Sequence, residues 1–273
     1  MGTHDEALAL IQVIEQRANE VAFEREDVRR TFHLKIVDCL NAFFFGHLGI
    51  SLCQQIEGGD LKLQMQGQVP RPEGLEKLLC MCRPPWHQAY HSSLNRHLIM
   101  DTWAAFESCV EVVTRAALDT TDIEALEQIK YGETMNILKR GGLQPDAQTN
   151  GRLLRTLGNP HIPIPRMVAS LLKPNRSQYA RDYSDDVAFL GLYGRLRNAS
   201  HANFVYRGAE ASVTWHDVEF RFRDGEFVWF SCEEKEVPGL LLSMVDELSR
   251  VYEAMVVVVN NRLLRDPWQA AWK

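Results

Sequence analysis

The segment from Leu192 to Phe204, LYGRLRNASHANF, carries the side chains best suited to chemistry in this 273-residue chain. Arg197 and His201 are four residues apart, and Asn198 and His201 are three apart, so on a helix all three share one face. Histidine can take up or give a proton near neutral pH, and arginine presents a planar fork to a phosphate. Cleavage of RNA without metal needs those two tasks: proton transfer, and stabilisation of the charge on the transition state.

Other residues of this stretch complete the predicted site. Arg195 offers a second cation for the scissile phosphate, and the Tyr193 ring could stack on an unpaired base. The further candidates for substrate contact are Ser200, Asn203 and Arg207. A structural interpretation competes with this one, because arginine and histidine near a helix C-terminus favour the helix dipole, and Asn198 and Ser200 could close the last turn.

The average charge argues against a protein that coats nucleic acid, but the distribution of charge allows one phosphate site. The sequence has 30 Lys and Arg against 36 Asp and Glu, a net charge of −6. Residues 151–207 carry nine Lys and Arg against three Asp and Glu, which gives +6 there and leaves −12 for the rest. The predicted site therefore lies in a basic stretch of an acidic chain, as a phosphate-binding surface requires.

The Arg–Asn…His arrangement at a helix end resembles the signature of the HEPN superfamily (higher eukaryotes and prokaryotes nucleotide-binding). Members are helical bundles whose motif is an Arg, commonly followed by Asn or another polar residue, and then a His near the end of the helix. The resemblance covers Leu98 to Arg265 and includes the order of elements: helices, the motif, a short hairpin and a long closing helix. Three residues separate Arg197 from His201, fewer than is usual in the family, and five separate Arg195 from His201, so either arginine could fill the motif position.

The resemblance implies a metal-independent endoribonuclease of the toxin or defence type, without a cofactor. His201 would handle protons, and Asn198 would position the substrate or orient His201. Arg197, assisted by Arg195, would bind the scissile phosphate. The resemblance also implies a homodimer with the two motifs facing each other, RNA or a nucleotide as ligand, and an antitoxin or other protein as partner. Because other members are non-catalytic, the alternative is a helical module that binds RNA, a nucleotide or a protein.

The elements that must position this stretch are mostly helices, since apolar residues recur at three- and four-residue steps over most of the chain. Predicted helices cover Asp5 to about Phe45 (as one helix or two), Leu75 to Cys82, Leu98 to Leu118, Asp122 to Arg140, Arg166 to Lys173, Asp185 to Asn203 and Pro238 to Arg265. Leu61 to Gln66 alternates like an edge strand, and a β-hairpin with an Asp224-Gly225 turn falls within residues 213–231. The predicted fold is mainly α: a helical bundle with a late β-hairpin and a long C-terminal helix.

A domain boundary is predicted between Gly58 and Pro85, where glycines and prolines interrupt the helical pattern. Residues 1–85 then form an N-terminal helical region that could pack on the core. Residues 86–273 form the HEPN-like helical domain that contains the hairpin.

A second cluster of chemical interest is Cys80-x-Cys82 with His87, His91 and His97. Thiolates and imidazoles suit zinc, but the spacing is not that of a common zinc finger and the chain has no second Cys pair. Buried thiols and loop histidines are the favoured interpretation, so no metal site is predicted.

The sequence predicts a soluble, cytoplasmic protein with no membrane partner. The longest apolar stretches, Ala42 to Leu52 and Val256 to Val259, are shorter than a membrane span, and no secretory leader is recognisable. The six cysteines are accordingly expected to be reduced thiols.

Overall fold

A computed structural model of the chain describes residues 2–21, 23–57, 86–140, 162, 164–259 and 264. These residues form a mainly α-helical bundle with one small antiparallel sheet, which confirms the predicted fold class. The helices are α1 (Thr3–Glu20), α2 (Val28–Glu57), α3 (Trp86–Ala117), α4 (Thr120–Arg140), α5 (Ile164–Leu172), α6 (Tyr183–His201) and α7 (Val237–Val257). The strands are β1 (Ala211–Trp215), β2 (Val218–Phe222) and β3 (Trp229–Phe230), and short 3₁₀ turns cover Lys173–Gln178 and Glu234–Glu236.

The core forms where α2, α3 and α7 meet. Phe32 of α2 lies against Tyr252 of α7, with ring centroids 3.9 Å apart, and its edge meets Phe106 of α3 at 6.2 Å. Gly46 lets α2 approach α3 closely, since a Cβ there would lie 2.5 Å from a methyl carbon of Leu94. The N-terminal helices therefore share one hydrophobic core with the rest of the chain. The predicted boundary at 58–85, with its strand and short helix, lies outside the described residues.

The junction between α1 and α2 is tied to residue 264. The Val28 amide donates to the Leu264 carbonyl at 2.7 Å, and the Leu264 amide donates to the Asp27 carboxylate at 3.1 Å. Arg29 donates to the same carboxylate from its backbone and from its buried guanidinium. Burial alone would raise the pKa of Asp27, but the hydrogen bonds from Arg29 and Leu264 outweigh it and hold the pKa below its ordinary value.

The main differences from the sequence predictions are at helix ends. α3 begins at Trp86, twelve residues before Leu98, and α7 ends at Val257 rather than at Arg265. α6 is capped by Asp182, whose carboxylate accepts from the amides of Ser184 and Asp185, so the helix begins at Tyr183, two residues before the predicted start. α7 presents an apolar stripe to the core, in which these residues are all buried: Leu241, Met244, Val245, Leu248, Tyr252 and Met255.

The sheet follows α6 directly and contains the predicted hairpin. β2 and β3 pair through Phe220 and Phe230, and the turn between them includes Gly225 at φ 81°. β1 adds a third strand, joined to β2 by His216 and Asp217, which both have positive φ and form a two-residue hairpin turn.

Among the described helices, α2 is long and apolar enough, by length and composition alone, to cross a membrane: Val28–Gln55 has a mean hydropathy of 1.6. Its apolar residues are interrupted by polar ones, so no uninterrupted apolar run in the sequence marks it. In the structure Phe32, Ile36 and Leu40 of α2 are fully buried in the bundle core. The core helix of a soluble protein has the same character, so α2 is consistent with a soluble protein.

Candidate functional site

A cleft of about 340 Å³ runs beside the C-terminal half of α6. It is lined by Arg195, Arg197 and Asn198 of α6, by Trp103 and Glu107 of α3, and by Ile164 and Pro165 of α5, among others. α6 passes the Trp103 ring of α3 at Gly194, where an added Cβ would make an ordinary 3.6 Å contact with that ring. Three of the four residues predicted to be catalytic are thus brought to one cleft.

Arg197 is half-buried and has protein partners within this cleft. Its guanidinium lies 3.6 Å from the Glu107 carboxylate, and it donates to the Asn198 side-chain oxygen at 3.2 Å. The exposed fractions of the two charged side chains are 33% for Arg197 and 19% for Glu107. A carboxylate that shares an arginine reduces the charge the arginine offers to a phosphate, so Glu107 is a competitor for any anion in the cleft.

His201 is the last residue of α6, and its side chain is exposed. It stands one helical turn beyond Arg197 but is not part of the cleft lining. Within the described residues, its ring has no hydrogen bond or ion pair. The ring is therefore accessible for proton exchange with a bound molecule.

The chain leaves α6 through two left-handed residues, Asn203 at φ 54° and Phe204 at φ 63°. The Asn203 side-chain oxygen accepts a 2.6 Å hydrogen bond from Arg96 of α3, so this predicted substrate contact already has a strong partner. Arg96 also brings a further cation to the C-terminal end of α6. Sequence reasoning missed it because 107 residues separate it from Asn203.

The structure places Tyr193 and Ser200 in the core rather than at a substrate surface. Tyr193 is fully buried, shares a 2.7 Å hydrogen bond with the Thr102 hydroxyl and stacks on Trp103. Ser200 is also fully buried and donates to the Leu196 carbonyl at 2.8 Å. Both face helices packed on α6, so neither is available to stack on a base or to contact a ligand.

Arg207 lies apart from the cleft residues. Its guanidinium is next to Gly225, in the turn between β2 and β3. The other cations of the basic 151–207 stretch are also dispersed: Arg181 pairs with Asp186 and Glu247, and Arg176 lies over the Tyr183 ring. Part of the positive charge seen in the sequence is therefore already paired within the protein, and Arg152 and Arg155 lie outside the described residues.

Across the residues that the structure describes, no group of three or more His, Cys, Asp or Glu is placed to hold a metal ion. Cys80, Cys82 and the side chain of His87 lie outside the described residues. His91 packs on His47, with ring centroids 4.8 Å apart, and His97 shares a 3.4 Å contact with the Ser93 hydroxyl.

The chain matches no family model, and comparisons with curated proteins and with solved structures give no match either. The functional proposals below therefore depend on the residues and their geometry.

Proposed function

We propose that this chain is a HEPN-like, metal-independent endoribonuclease in which His201 transfers protons and Arg197 binds the scissile phosphate. The observation that carries the proposal is the exposed His201 ring, without a partner in the described chain, one helical turn beyond Arg197 and Asn198. An imidazole that is open to solvent can exchange a proton with a bound molecule, which suits general acid–base catalysis. Arg195, in the same cleft, is the second cation.

The chemistry needs no group beyond these side chains. The 2′-hydroxyl loses its proton to an imidazole and attacks phosphorus, and the 5′-oxygen leaves with a proton from an imidazolium. The products are a 2′,3′-cyclic phosphate and a 5′-hydroxyl. The guanidinium of Arg197 stabilises the negative charge that develops on the phosphoryl oxygens. In a two-fold dimer, which the family resemblance implies, the two copies of His201 supply the base and the acid.

The cellular setting of this proposal is a cytoplasmic toxin or defence effector. An antitoxin or other protein partner would restrain the nuclease by covering the C-terminal end of α6. The pairing of Arg181 and Arg176 within the protein fits a local phosphate site rather than extended contact with an RNA backbone.

A non-catalytic binding module is the second candidate function, and the Arg197–Glu107 ion pair favours it. As a binding module, the chain would bind an anion in the cleft: Arg197 would release Glu107 and pair with a phosphate or with a carboxylate of a protein partner. His201 would contribute a hydrogen bond but no proton transfer. The short interval between Arg197 and His201 points in the same direction.

Cleavage of a mixed RNA substrate in the presence of EDTA tests both candidates. We expect the unmodified protein to yield 2′,3′-cyclic phosphate ends and the His201→Ala variant to lose activity by roughly a hundredfold or more. His216→Ala is the matched control, because His216 is also exposed but lies in the β1–β2 turn. Circular dichroism establishes that both variants are folded.

Undiminished cleavage by His201→Ala would rule out the catalytic assignment. Salt-dependent RNA binding without any product, in the unmodified protein, would instead identify the binding module.

A further inference from the structure

A second cavity, of about 930 Å³, lies between α2, α3 and the segment that joins the sheet to α7. Its polar side is formed by His47 of α2 and by His91 and Asn95 of α3. Its opposite side is apolar and aromatic and includes Phe204, Trp229 and Phe230. The volume falls within the range of about 300–1,000 Å³ that is typical of small-molecule sites.

Two buried polar atoms on the wall of this cavity have no partner in the described part of the chain: Nε2 of His47 and the side-chain oxygen of Asn95. The His47 side chain is only 3% exposed. A buried polar group without a hydrogen bond costs roughly 1–3 kcal/mol, so native proteins rarely retain one without a reason. Both residues line the same cavity, and a ligand that hydrogen-bonds to both would remove that cost.

The charge around the cavity indicates what kind of ligand fits. Burial, with smaller contributions from His91 and His4, lowers the pKa of His47 to about 4, so its imidazole is neutral at pH 7. At the rim, Glu233 and Glu234 face a single Lys235, whose ammonium is 2.7 Å from the Glu233 carboxylate. The ligand must therefore be uncharged at its buried end, and an added phosphate would meet excess negative charge.

The aromatic side of the cavity favours a planar ring. Phe204 reaches it from its left-handed backbone conformation, which two hydrogen bonds maintain: its amide donates to Ala199 at 2.8 Å, and its carbonyl accepts from Val228 at 2.9 Å. A non-glycine residue held at positive φ costs free energy, and such residues are concentrated at ligand sites. Aromatic side chains stack on the faces of heterocyclic bases, and a side-chain amide can pair with the donors and acceptors on a base edge.

We propose that this cavity binds an unphosphorylated nucleoside, with the base stacked on the Phe204 and Trp229 side and its edge hydrogen-bonded to His47 and Asn95. The site is separate from the cleft beside α6, since the two share no lining residue. It is also independent of RNA cleavage, because a nucleoside has no phosphate for Arg197 to bind.

Titration of the full chain with adenosine, guanosine, cytidine and uridine, and with the matching 5′-monophosphates, tests the proposal. Isothermal calorimetry measures affinity, and the fluorescence of Trp229 reports occupancy, with Trp229→Phe identifying its share of the signal. We expect saturable binding of at least one nucleoside. We expect its monophosphate to bind at least tenfold more weakly because of Glu233 and Glu234.

Two variants remove the polar contacts while retaining bulk: His47→Phe and Asn95→Leu. Each is expected to weaken nucleoside binding at least tenfold, whereas Arg197→Ala, in the other cleft, leaves it unchanged. If His47→Phe does not fold, Asn95→Leu provides the comparison, because Asn95 lies on a half-exposed position of α3.

Three results would overturn the proposal: no binding of any nucleoside at millimolar concentration, equal or tighter binding of the monophosphate, or unchanged affinity in both folded variants. Loss of RNA cleavage in His201→Ala with intact nucleoside binding would separate this site from the proposed nuclease.

Discussion

The two ends of α6 both carry charged side chains, but the protein uses them differently. At the N-terminal end, the Asp186 carboxylate is 94% buried and accepts from Arg181 at 2.8 Å and from the Tyr179 hydroxyl. Arg181 also pairs with Glu247 of α7. At the C-terminal end, Arg197 has one carboxylate at 3.6 Å, and the His201 ring has no partner within the described chain.

The charged side chains of α6 therefore fall into two kinds: those that are fully paired within the protein, and those that could still bind a ligand. Around Asp186, the charged and polar side chains form hydrogen bonds and ion pairs with one another. They hold neighbouring elements together and are not available to bind a ligand. Burial, and the hydrogen bond to Asp186, raise the pKa of Tyr179, so its hydroxyl stays protonated as a donor. Charges that are loosely paired and half-exposed, as around Arg197, can exchange a protein partner for an anion.

The largest effect that tests the contrast is expected from Asp186→Ala. This change leaves Arg181 and Tyr179 without their shared acceptor, and it should lower the free energy of unfolding by about 3 kcal/mol. Asp185→Ala is the matched control, because Asp185 is exposed in the first turn of α6 and should cost less than about 1 kcal/mol. Urea denaturation measures both. Equal losses in the free energy of unfolding of the two variants would mean that the contacts of Asp186 do not stabilise the fold.

The buried His33 side chain should make the stability of the protein depend on pH. Burial, with the nearby Arg17 charge, lowers the pKa of His33 to about 4. Since the unfolded chain binds a proton near pH 6.5 and the folded chain does not until near pH 4, stability should fall by about 1.4 kcal/mol per pH unit across that window. Unfolding measured from pH 7 to pH 4 checks this. Because the pKa of His47 is also lowered to about 4, His47 adds a slope of similar size, and His33→Phe should remove only about half of the histidine-dependent slope. A slope that His33→Phe leaves unchanged would contradict the assignment.

The smallest effects are expected at the cleft, and they have opposite signs. Arg197→Ala should weaken RNA binding several-fold and reduce the salt slope of the affinity by about 1, as for one lost phosphate contact. Glu107→Gln removes the competing carboxylate, so it should strengthen binding roughly two- to threefold at low salt. Fluorescence anisotropy with a labelled RNA measures both. Weaker binding in Glu107→Gln would show that Glu107 orients Arg197 instead of competing for it.

The sequence alone predicted what depends on local periodicity. The helices α6 and α7 follow from the helical spacing of their apolar residues. Tyr193 and Ser200 are buried although they belong to a polar segment, because α3, α5 and α7 all pack on α6 and cover it on more than one side.

What could not be predicted depends on contacts between distant segments. The Arg96–Asn203 hydrogen bond and the Arg197–Glu107 ion pair each connect residues that are far apart in sequence. The cavity lined by His47 and Asn95 likewise forms between separate helices. No local sequence pattern indicates any of these three features. α3 begins before its apolar stripe because packing of Leu94 against Gly46 stabilises a turn that is polar in sequence.

The tie between residue 264 and the start of α2 joins positions 237 residues apart in sequence, the separation of Leu264 from Asp27. Closing a loop of that length carries a large entropy cost, so the contact forms only after the bundle between the two positions is assembled. An interaction made after the folding transition state leaves the folding rate unchanged and slows unfolding. We therefore expect loss of the Asp27–Leu264 hydrogen bond to speed unfolding more than it slows folding.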